Sequence, residues 1–372
     1  MRLTRLRSVA LATALSLVLV ACGNGDDDTT DPVAPEDDTE AEDDAEPDAD
    51  ADAAAGGDDG PFTLSVSNTL VGNSWREQMI CAVQAEGEAS GVVDEVIVAS
   101  RNAGPTEQLS DMQNLISQGV DAIIVNPSDR EALDSVIDAA ADQGIVVVSV
   151  DQAVTSENAY VVTNDQVAVG RIGAEWLFEQ MGGSGDVLYM RGIDGVPADD
   201  DRDQGFQEAL ENYPDIEVVA EIFTGWDYST AGEQALDIFS TREVDGVWTS
   251  GTDYTVVNAM ETAGHPYVPI TGQDTNEFVR QIVELHDEGF VGAVVTNPAV
   301  IGGVGARVAL DVLRGQDVQR ETMLEPEVLA YDNAADQLQA MYLADRDAAF
   351  PVQTSIEGET SFTEDQLFSC GG

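Results

Sequence analysis

The 372-residue sequence contains no lysine: all 15 of its basic side chains are Arg, against 71 Asp and Glu, for a formal net charge of −56. A chain this poor in positive charge lacks the footprint for nucleic acid. It also lacks a polybasic patch for an anionic membrane surface. Cysteine is scarce, at 3 residues, too few for a disulfide scaffold. The only histidines are His265 and His286, which disfavours a His-based metal or catalytic site. No run of about 20 apolar residues occurs, so no segment reads as a membrane-spanning helix. Gly-x-Ser-x-Gly, a Walker loop and His-Glu-x-x-His are all missing, and with them the simplest signs of hydrolase, nucleotide or zinc chemistry. No cofactor and no metal are implied.

What is present begins with an address. Arg2, Arg5 and Arg7 precede an apolar stretch, Val9 to Ala21, and then Leu19-Val20-Ala21-Cys22-Gly23. Small residues before a cut mark a secretory signal. A Cys directly after them resembles the bacterial lipobox, which implies a signal peptide over residues 1–21 and lipid attachment at Cys22. Residues 24–60 hold 17 acidic side chains, no basic ones, and Pro32, Pro35 and Pro47. Such a segment cannot bury enough apolar surface to offset its ordering entropy. Residues 22–60 therefore read as a disordered, self-repelling tether.

Residues 61–372 retain 54 acidic residues against 12 Arg. Self-repulsion of that size destabilises a compact state at low salt. It is screened when the Debye length falls to about 3 Å near 1 M salt. The composition suits an exported protein of a salty habitat.

Apolar β-branched runs alternate with helical patterns. The strand candidates are Thr63–Val66, Val96–Ala99, Ala122–Val125, Ile145–Val150, Tyr160–Val162, Val187–Met190, Val218–Phe223, Val247–Thr249, Val268–Thr271 and Ala293–Val295. Leu109, Met112, Leu115 and Ile116 mark one helix; Ile172, Trp176 and Phe178 mark another. Phe206, Ala209 and Leu210 mark a third, and Val304, Val308, Leu310 and Leu313 a fourth. Continuous apolar strands with helices between them predict parallel sheets covered on both faces. Ten strands suit two doubly wound lobes better than one sheet.

Ligands of open parallel sheets sit beyond the carboxyl ends of the strands. There the sequence places Asn68, Asn73, Asn102, Asn126, Asp151, Asn164, Asp165, Arg191, Trp226, Thr252, Asp253, Gln273, Asp274 and Asn297. Asn and Asp also cap helices and make turns, so part of this set is local structure. The bias toward amides and carboxylates nevertheless fits a hydroxyl-rich ligand. Trp75 and Trp226 fall where a packed core does not need them, and an indole face suits the C–H face of a sugar ring. Trp176 and Trp248 read as core. Asp199-Asp200-Asp201 with Asp203 reads as a solvated acidic turn rather than a calcium loop. Gly302-Gly303-Val304-Gly305 reads as close helix packing.

From Pro61 to about Asp332 the order of motifs resembles the periplasmic sugar-binding proteins of the ribose-binding type, the substrate receptors of bacterial ABC importers. The matching pieces are Gly72-Asn73-Ser74-Trp75-Arg76, Gln113 through Pro127, Val148-Ser149-Val150-Asp151-Gln152, Thr163-Asn164-Asp165, Arg202-Asp203-Gln204-Gly205-Phe206, Thr271-Gly272-Gln273-Asp274 and Thr296-Asn297-Pro298. The resemblance implies two Rossmann-like lobes joined by a three-crossing hinge. The N-terminal lobe would take residues 61–164 plus about 297–330. The C-terminal lobe would take 165–296 plus about 331–340, leaving 341–372 as an extension of no assigned role.

The ligand set implied is Asn73, Trp75, Arg76, Asp151, Gln152, Asn164, Arg202, Trp226, Thr252, Asp253, Asp274, Thr296 and Asn297. Gln152 stands where ribose binders usually have Arg, and Thr296 where they often have Gln. The ligand is therefore another pentose, a hexose or a polyol as readily as ribose. The partners implied are a permease and an ATPase, with a monomeric receptor anchored by lipid on the outer face of the cytoplasmic membrane. A receptor presenting a sugar-like signal to a chemoreceptor or sensor kinase would carry the same site. A glycosidase using Asp151 and Asp274 as its carboxylate pair is the enzymatic alternative. Cys81 and Cys370, in an oxidising compartment, are candidates for a bridge that ties the C-terminal extension to the N-terminal lobe.

Overall fold

The computed structural model describes residues 60–370, within the compact unit Ala54–Gly372. The signal peptide, Cys22 and all of the acidic tether but Gly60 lie outside the described residues.

The chain alternates strand and helix: β1 (Phe62–Asn68), α1 (Ser74–Ser90), β2 (Val93–Ser100), α2 (Pro105–Gln118), β3 (Ala122–Val125), α3 (Asp134–Ala141), β4 (Val146–Asp151) and β5 (Tyr160–Asn164). It continues with α4 (Gln166–Gln180), β6 (Ser184–Arg191), α5 (Pro197–Leu210), β7 (Asp215–Phe223), α6 (Tyr228–Thr241), β8 (Gly246–Thr249), α7 (Asp253–Ala263), β9 (Ile270–Gly272), α8 (Asn276–Glu284) and β10 (Gly292–Val295). Then come α9 (Ile301–Leu313), β11 (Glu321–Leu324), β12 (Val328–Ala330), α10 (Tyr331–Met341) and α11 (Glu364–Ser369).

Two sheets result, in the orders β11-β5-β4-β3-β1-β2 and β12-β10-β9-β8-β6-β7. Every pairing is parallel except β10 with β12. Each lobe is thus doubly wound, and each reverses its strand order beside its first strand, β1 or β6. That reversal opens a crevice at the carboxyl ends. The two crevices face one another.

The central strands of each sheet are buried on both faces, which explains their continuous apolar runs, while the edge strands β2, β7 and β11 keep exposed residues. In the first lobe, Val148 and Val150 pack with Ile301 and Val304 of α9 on one face. Ile123 and Val125 pack with Met112, Leu115 and Ile137 on the other. In the second lobe, Phe178, Tyr189, Phe206 and Trp248 form an aromatic layer under α4 and α5. Tyr189 and Phe206 stack there with ring centres 3.8 Å apart. Truncating Phe206 to Ala would cost about 3–5 kcal/mol.

All ten candidate strands are found, with bounds that differ at the ends. The strand expected at Val268–Thr271 begins at Ile270 instead, because Pro269 has no N–H for the ladder. The short β11 and β12 carried no signal. Trp248 is core, but Trp176 is only half-buried and lines a surface recess with His286 and Tyr331. The Asp199 region is the first turn of α5 rather than a solvated turn. Asp199 is 2% exposed and is held by Arg191. Among the described residues no group of three or more His, Cys, Asp or Glu is placed to hold a metal ion.

The chain passes between the lobes at β5–α4, at β10–α9 and at β11–β12. It then passes once more. Beyond α10 it runs along the second lobe, crosses at Pro351 and finishes against α1 of the first. Its Cys370 is disulfide-bonded to Cys81 of α1, with Cα atoms 5.4 Å apart.

Candidate functional site

Asn73 ends the loop after β1 and caps α1. Its Oδ1 accepts from the Arg76 N–H at 3.1 Å, and its Nδ2 reaches the other lobe to donate to the Trp226 carbonyl at 3.1 Å. The first turn of α1 also delivers Trp75, whose Nε1 donates to the Asn297 carbonyl at 2.7 Å. Arg76 follows, 5% exposed, its Nη1 donating to Asn68 Oδ1 at 3.2 Å. Its guanidinium carbon lies 5.9 Å from the Trp75 ring centre and 6.0 Å from that of Trp226. Burial lowers its pKa to about 10, against the pull of Asp151.

Asp151 terminates β4 with φ 67°, and Trp226 has φ 53°. They are the only non-glycine residues with positive φ among the described residues. A non-glycine residue held in that region costs of order 1–3 kcal/mol, less for Asp than for a bulky Trp, and such residues cluster at ligand sites. Asp151 Oδ1 accepts from Gln166 Nε2 at 2.8 Å. Burial raises the Asp151 pKa, with Arg202 and Arg76 opposing the rise.

Arg202 reaches the site because α5 approaches α4 backbone to backbone. A Cβ on Gly205 would fall 1.9 Å from the Val167 carbonyl oxygen, and one on Gly170 2.0 Å from that of Arg202. The Arg202 Nε donates to Gln166 Oε1 at 2.8 Å and Nη1 to Ser250 Oγ at 2.9 Å. With its amide oxygen turned inward, Gln273 accepts from Nη1 at 2.9 Å. Ser250 Oγ also accepts from Trp226 Nε1 at 3.1 Å. Asp274, on the loop between β9 and α8, accepts from Gln353 Nε2 at 2.9 Å. Burial pushes its pKa up to about 6.

These side chains enclose a cavity with about 490 Å³ of unfilled space, its mouth included. That falls within the range of about 300–1,000 Å³ usual for small-molecule sites. Its wall contains Asn73, Trp75, Arg76, Asp151, Arg202, Trp226, Asp274 and Asn297 of the expected set. Five expected residues stand elsewhere. Gln152 bonds Asn126 and accepts from the Ala198 N–H, bridging the lobes beside the cavity. Asn164 sits behind the wall and donates to Asn297 Oδ1 at 2.7 Å. Thr252 is buried under the wall, and Asp253 binds the Gln273 N–H and the Thr275 hydroxyl. Thr296 accepts from the Glu327 N–H at the third crossing. Four of these five act as helix-end, hinge and wall supports because their side chains are consumed by neighbouring backbone and side-chain groups, whereas Thr252 is packed beneath the wall with no hydrogen-bond partner for its hydroxyl.

The cavity also takes in Leu70, Tyr228, Ser250, Gly251, Gln273, Thr275 and Pro351. Of these, Gln273 stood among the strand-end polar groups. Ser250 directly follows β8 and stands at the same strand end, two residues before Thr252. Pro351 lies in the C-terminal extension, where the strand-end rule does not apply.

The site combines two Arg, two Asp, several amides and two indoles, and its formal charges cancel within a domain that is otherwise strongly acidic. It can exchange paired hydrogen bonds with hydroxyl groups and cover an apolar ring face. Cys81 and Cys370 form their bridge away from this cavity.

The Periplasmic binding protein domain family matches residues 64–317. A xylitol-binding protein of Mycolicibacterium smegmatis is 27% identical over 335 residues, covering 89% of this chain and 86% of the relative. The ribose import binding protein of Bacillus subtilis is 24% identical over 264 residues, covering 70% of this chain and 84% of the relative. Among solved structures, an ABC transporter solute binding protein from Thermobispora bispora shares the fold with a TM-score of 0.70 at 24% identity, covering 83% of this chain and 94% of its own. The fold, the facing crevices and the match over most of the chain agree: this chain belongs to the periplasmic binding protein family, in its ribose-binding (type I) group, whose members are extracytoplasmic substrate-binding proteins and not enzymes.

Proposed function

We propose that this protein captures a neutral monosaccharide or polyol between its lobes and delivers it to the permease and ATPase of an ABC importer. One observation carries the reading. The cavity wall is built from both lobes at once and pairs two indoles with charge-balanced Arg and Asp side chains. A ligand bound to one lobe gains contacts with the other and shifts the population toward the closed form. Closure removes water, so the ligand's hydrogen bonds strengthen in a drier site. The closed shape is what the permease reads.

The relatives support the ligand class, since one is named for xylitol and another for ribose. The N-terminal sequence supports export, lipid attachment at Cys22 and a monomer standing off the outer face of the cytoplasmic membrane on its acidic tether. Thermal shift in molar salt against pentoses, hexoses, polyols and nucleosides tests the ligand. A ligand that binds only the folded state raises the melting point by mass action. A rise confined to sugars or polyols supports the reading, and a rise with nucleosides alone overturns it. For the anchor, Cys22→Ala should release the protein from membranes into the medium; retention in the membrane fraction would rule out the lipid.

A further inference from the structure

The segment after α10 does more than decorate the fold. From Ala348 to Val352 it pairs with the loop that carries Asp274. The Asn276 N–H donates to the Phe350 carbonyl at 2.8 Å and the Glu277 N–H to that of Ala348 at 2.9 Å. The Val352 N–H donates to the Asp274 carbonyl at 2.9 Å. Pro351 forms part of the cavity wall, and its carbonyl accepts from Gln78 Nε2 of α1 at 3.0 Å. At this point the segment touches both lobes.

Gln353 comes next and donates to Asp274 Oδ2 at 2.9 Å. From Ile356 onward the segment belongs to the first lobe. The Ser361 N–H donates to Glu86 Oε2 at 2.8 Å, and Phe362 packs among Ala82, Ala85 and Val300. A Cβ on Gly303 would lie 2.6 Å from the Phe362 ring, so the ring fills the space that this glycine leaves. The Cys81–Cys370 bond closes the arrangement. Residues 353–355 are the short span between the two attachments, and the one side chain in it that reaches a cavity carboxylate is Gln353.

A carboxylate fixed through one oxygen presents the other in a set direction, whereas a free one rotates. We propose that Gln353 is a positioning residue of the binding site, holding the Asp274 carboxylate so that it selects which ligand hydroxyl it accepts from, and that the disulfide-tied C-terminal segment is the device that keeps Gln353 there. The proposal rests on the reading of the cavity as a sugar or polyol site. It assigns a role to residues 341–372, for which the sequence offered none.

The test is a tryptophan-fluorescence titration of the full chain with xylitol, D-ribose, D-allose and myo-inositol. It compares the unsubstituted protein with Gln353→Leu and with Cys370→Ser. Gln353→Leu keeps the size and removes the donor, and because it leaves one oxygen of the buried Asp274 carboxylate unpaired the ligand-free melting point should fall by a few degrees. Its affinity for the best ligand should fall about tenfold, the scale of one hydrogen bond to a charged group. The factor should differ among the four probes, because hydroxyls that do not meet Asp274 are unaffected. Cys370→Ser should lower the ligand-free melting point and weaken the same probes in the same order. Unchanged affinities in Gln353→Leu, or an equal loss for all four, overturn the positioning role while leaving the sugar reading intact. Failure of the unsubstituted chain to bind any of the four overturns the sugar reading and this proposal together.

Discussion

Asn73 of the first lobe donates to the main-chain carbonyl of Trp226 in the second, at 3.1 Å, while its own oxygen caps α1. One side chain therefore stabilises a helix end with one atom and the closed cleft with another. The two jobs are separable. Asn73→Asp keeps the capping oxygen and loses the donor. Its ligand-free melting point should stay within a few degrees, while ligand affinity falls about five- to tenfold. Asn73→Ala should lose both, with about 1 kcal/mol of stability from the cap. Equal melting points and equal affinities for the two variants would contradict this division.

The Gly170 and Gly205 contact sets the position of Arg202. Gly205→Ala pushes a methyl group into the Val167 carbonyl. Overpacking of this kind costs about 1–3 kcal/mol. Because the strain falls on the helix that carries Arg202, affinity should drop along with the melting point. A variant that lost stability and kept full affinity would show that Arg202 is placed by other contacts.

Asp253 and Asp274 both have their pKa raised to about 6 by burial, from an ordinary 3.8. Asp274 faces Asp253, which adds to the rise, Gln353, which opposes it, and Tyr228. Between about pH 4 and 6 the folded state binds protons that the unfolded state has released. The linkage slope is then negative, and stability falls as pH rises. The contribution is fully present below the unfolded pKa and is lost as pH climbs through about 6. The ligand-free protein should melt higher at pH 5 than at pH 7 in the same salt. Asp274→Asn should flatten part of that slope. Ligands that donate a hydroxyl to Asp274 should bind more weakly below pH 6, since the protonated acid accepts less well.

The surplus of 42 negative charges in residues 61–372 is expected to make stability rise with salt, up to about 1 M, as the Debye length shrinks to about 3 Å. Calorimetry from 0.1 M to molar sodium chloride checks this. The Arg130–Asp201 pair spans the cleft at 2.7 Å. As a partly exposed pair it is weakened by the same screening. In closure this weakening works against the screening of repulsion between two acidic lobes. A melting point indifferent to salt would remove the argument for a saline habitat.

Strand and helix alternation was legible because the central strands β3, β4, β8 and β10 are buried on both faces and read as apolar runs, while the edge strands β2 and β7 still show apolar residues among exposed acidic ones. Asn73, Asp151, Trp226, Asp274 and Asn297 were legible because a parallel sheet sends its strand ends to one edge, Trp75 was legible as an aromatic in a loop, and Arg76 and Arg202, which lie inside helices, came only with the family motifs. The strand-end rule also drew in Thr252, whose buried hydroxyl has no hydrogen-bond partner, and Asp253, which is spent on the Gln273 N–H and the Thr275 hydroxyl; Thr296, taken from the resemblance, is spent on the Glu327 N–H. Strand position says where a side chain starts and not which neighbour uses it. Gln166 was invisible for the reverse reason. It opens α4 as an ordinary helical residue, yet its amide joins Asp151 to Arg202. Pro351 and Gln353 were out of reach because they belong to neither sheet and enter the site only through long-range pairing.

The chain enters the first lobe at β1 and, after four passages, finishes at α11 on that same lobe, locked to α1 through Cys370. The second lobe is therefore a bight of chain with no free end. Tension applied at either end of the described residues loads the first lobe alone and leaves the cleft mechanically idle. Held by those ends, the first lobe would be the fixed jaw and the second the one free to swing.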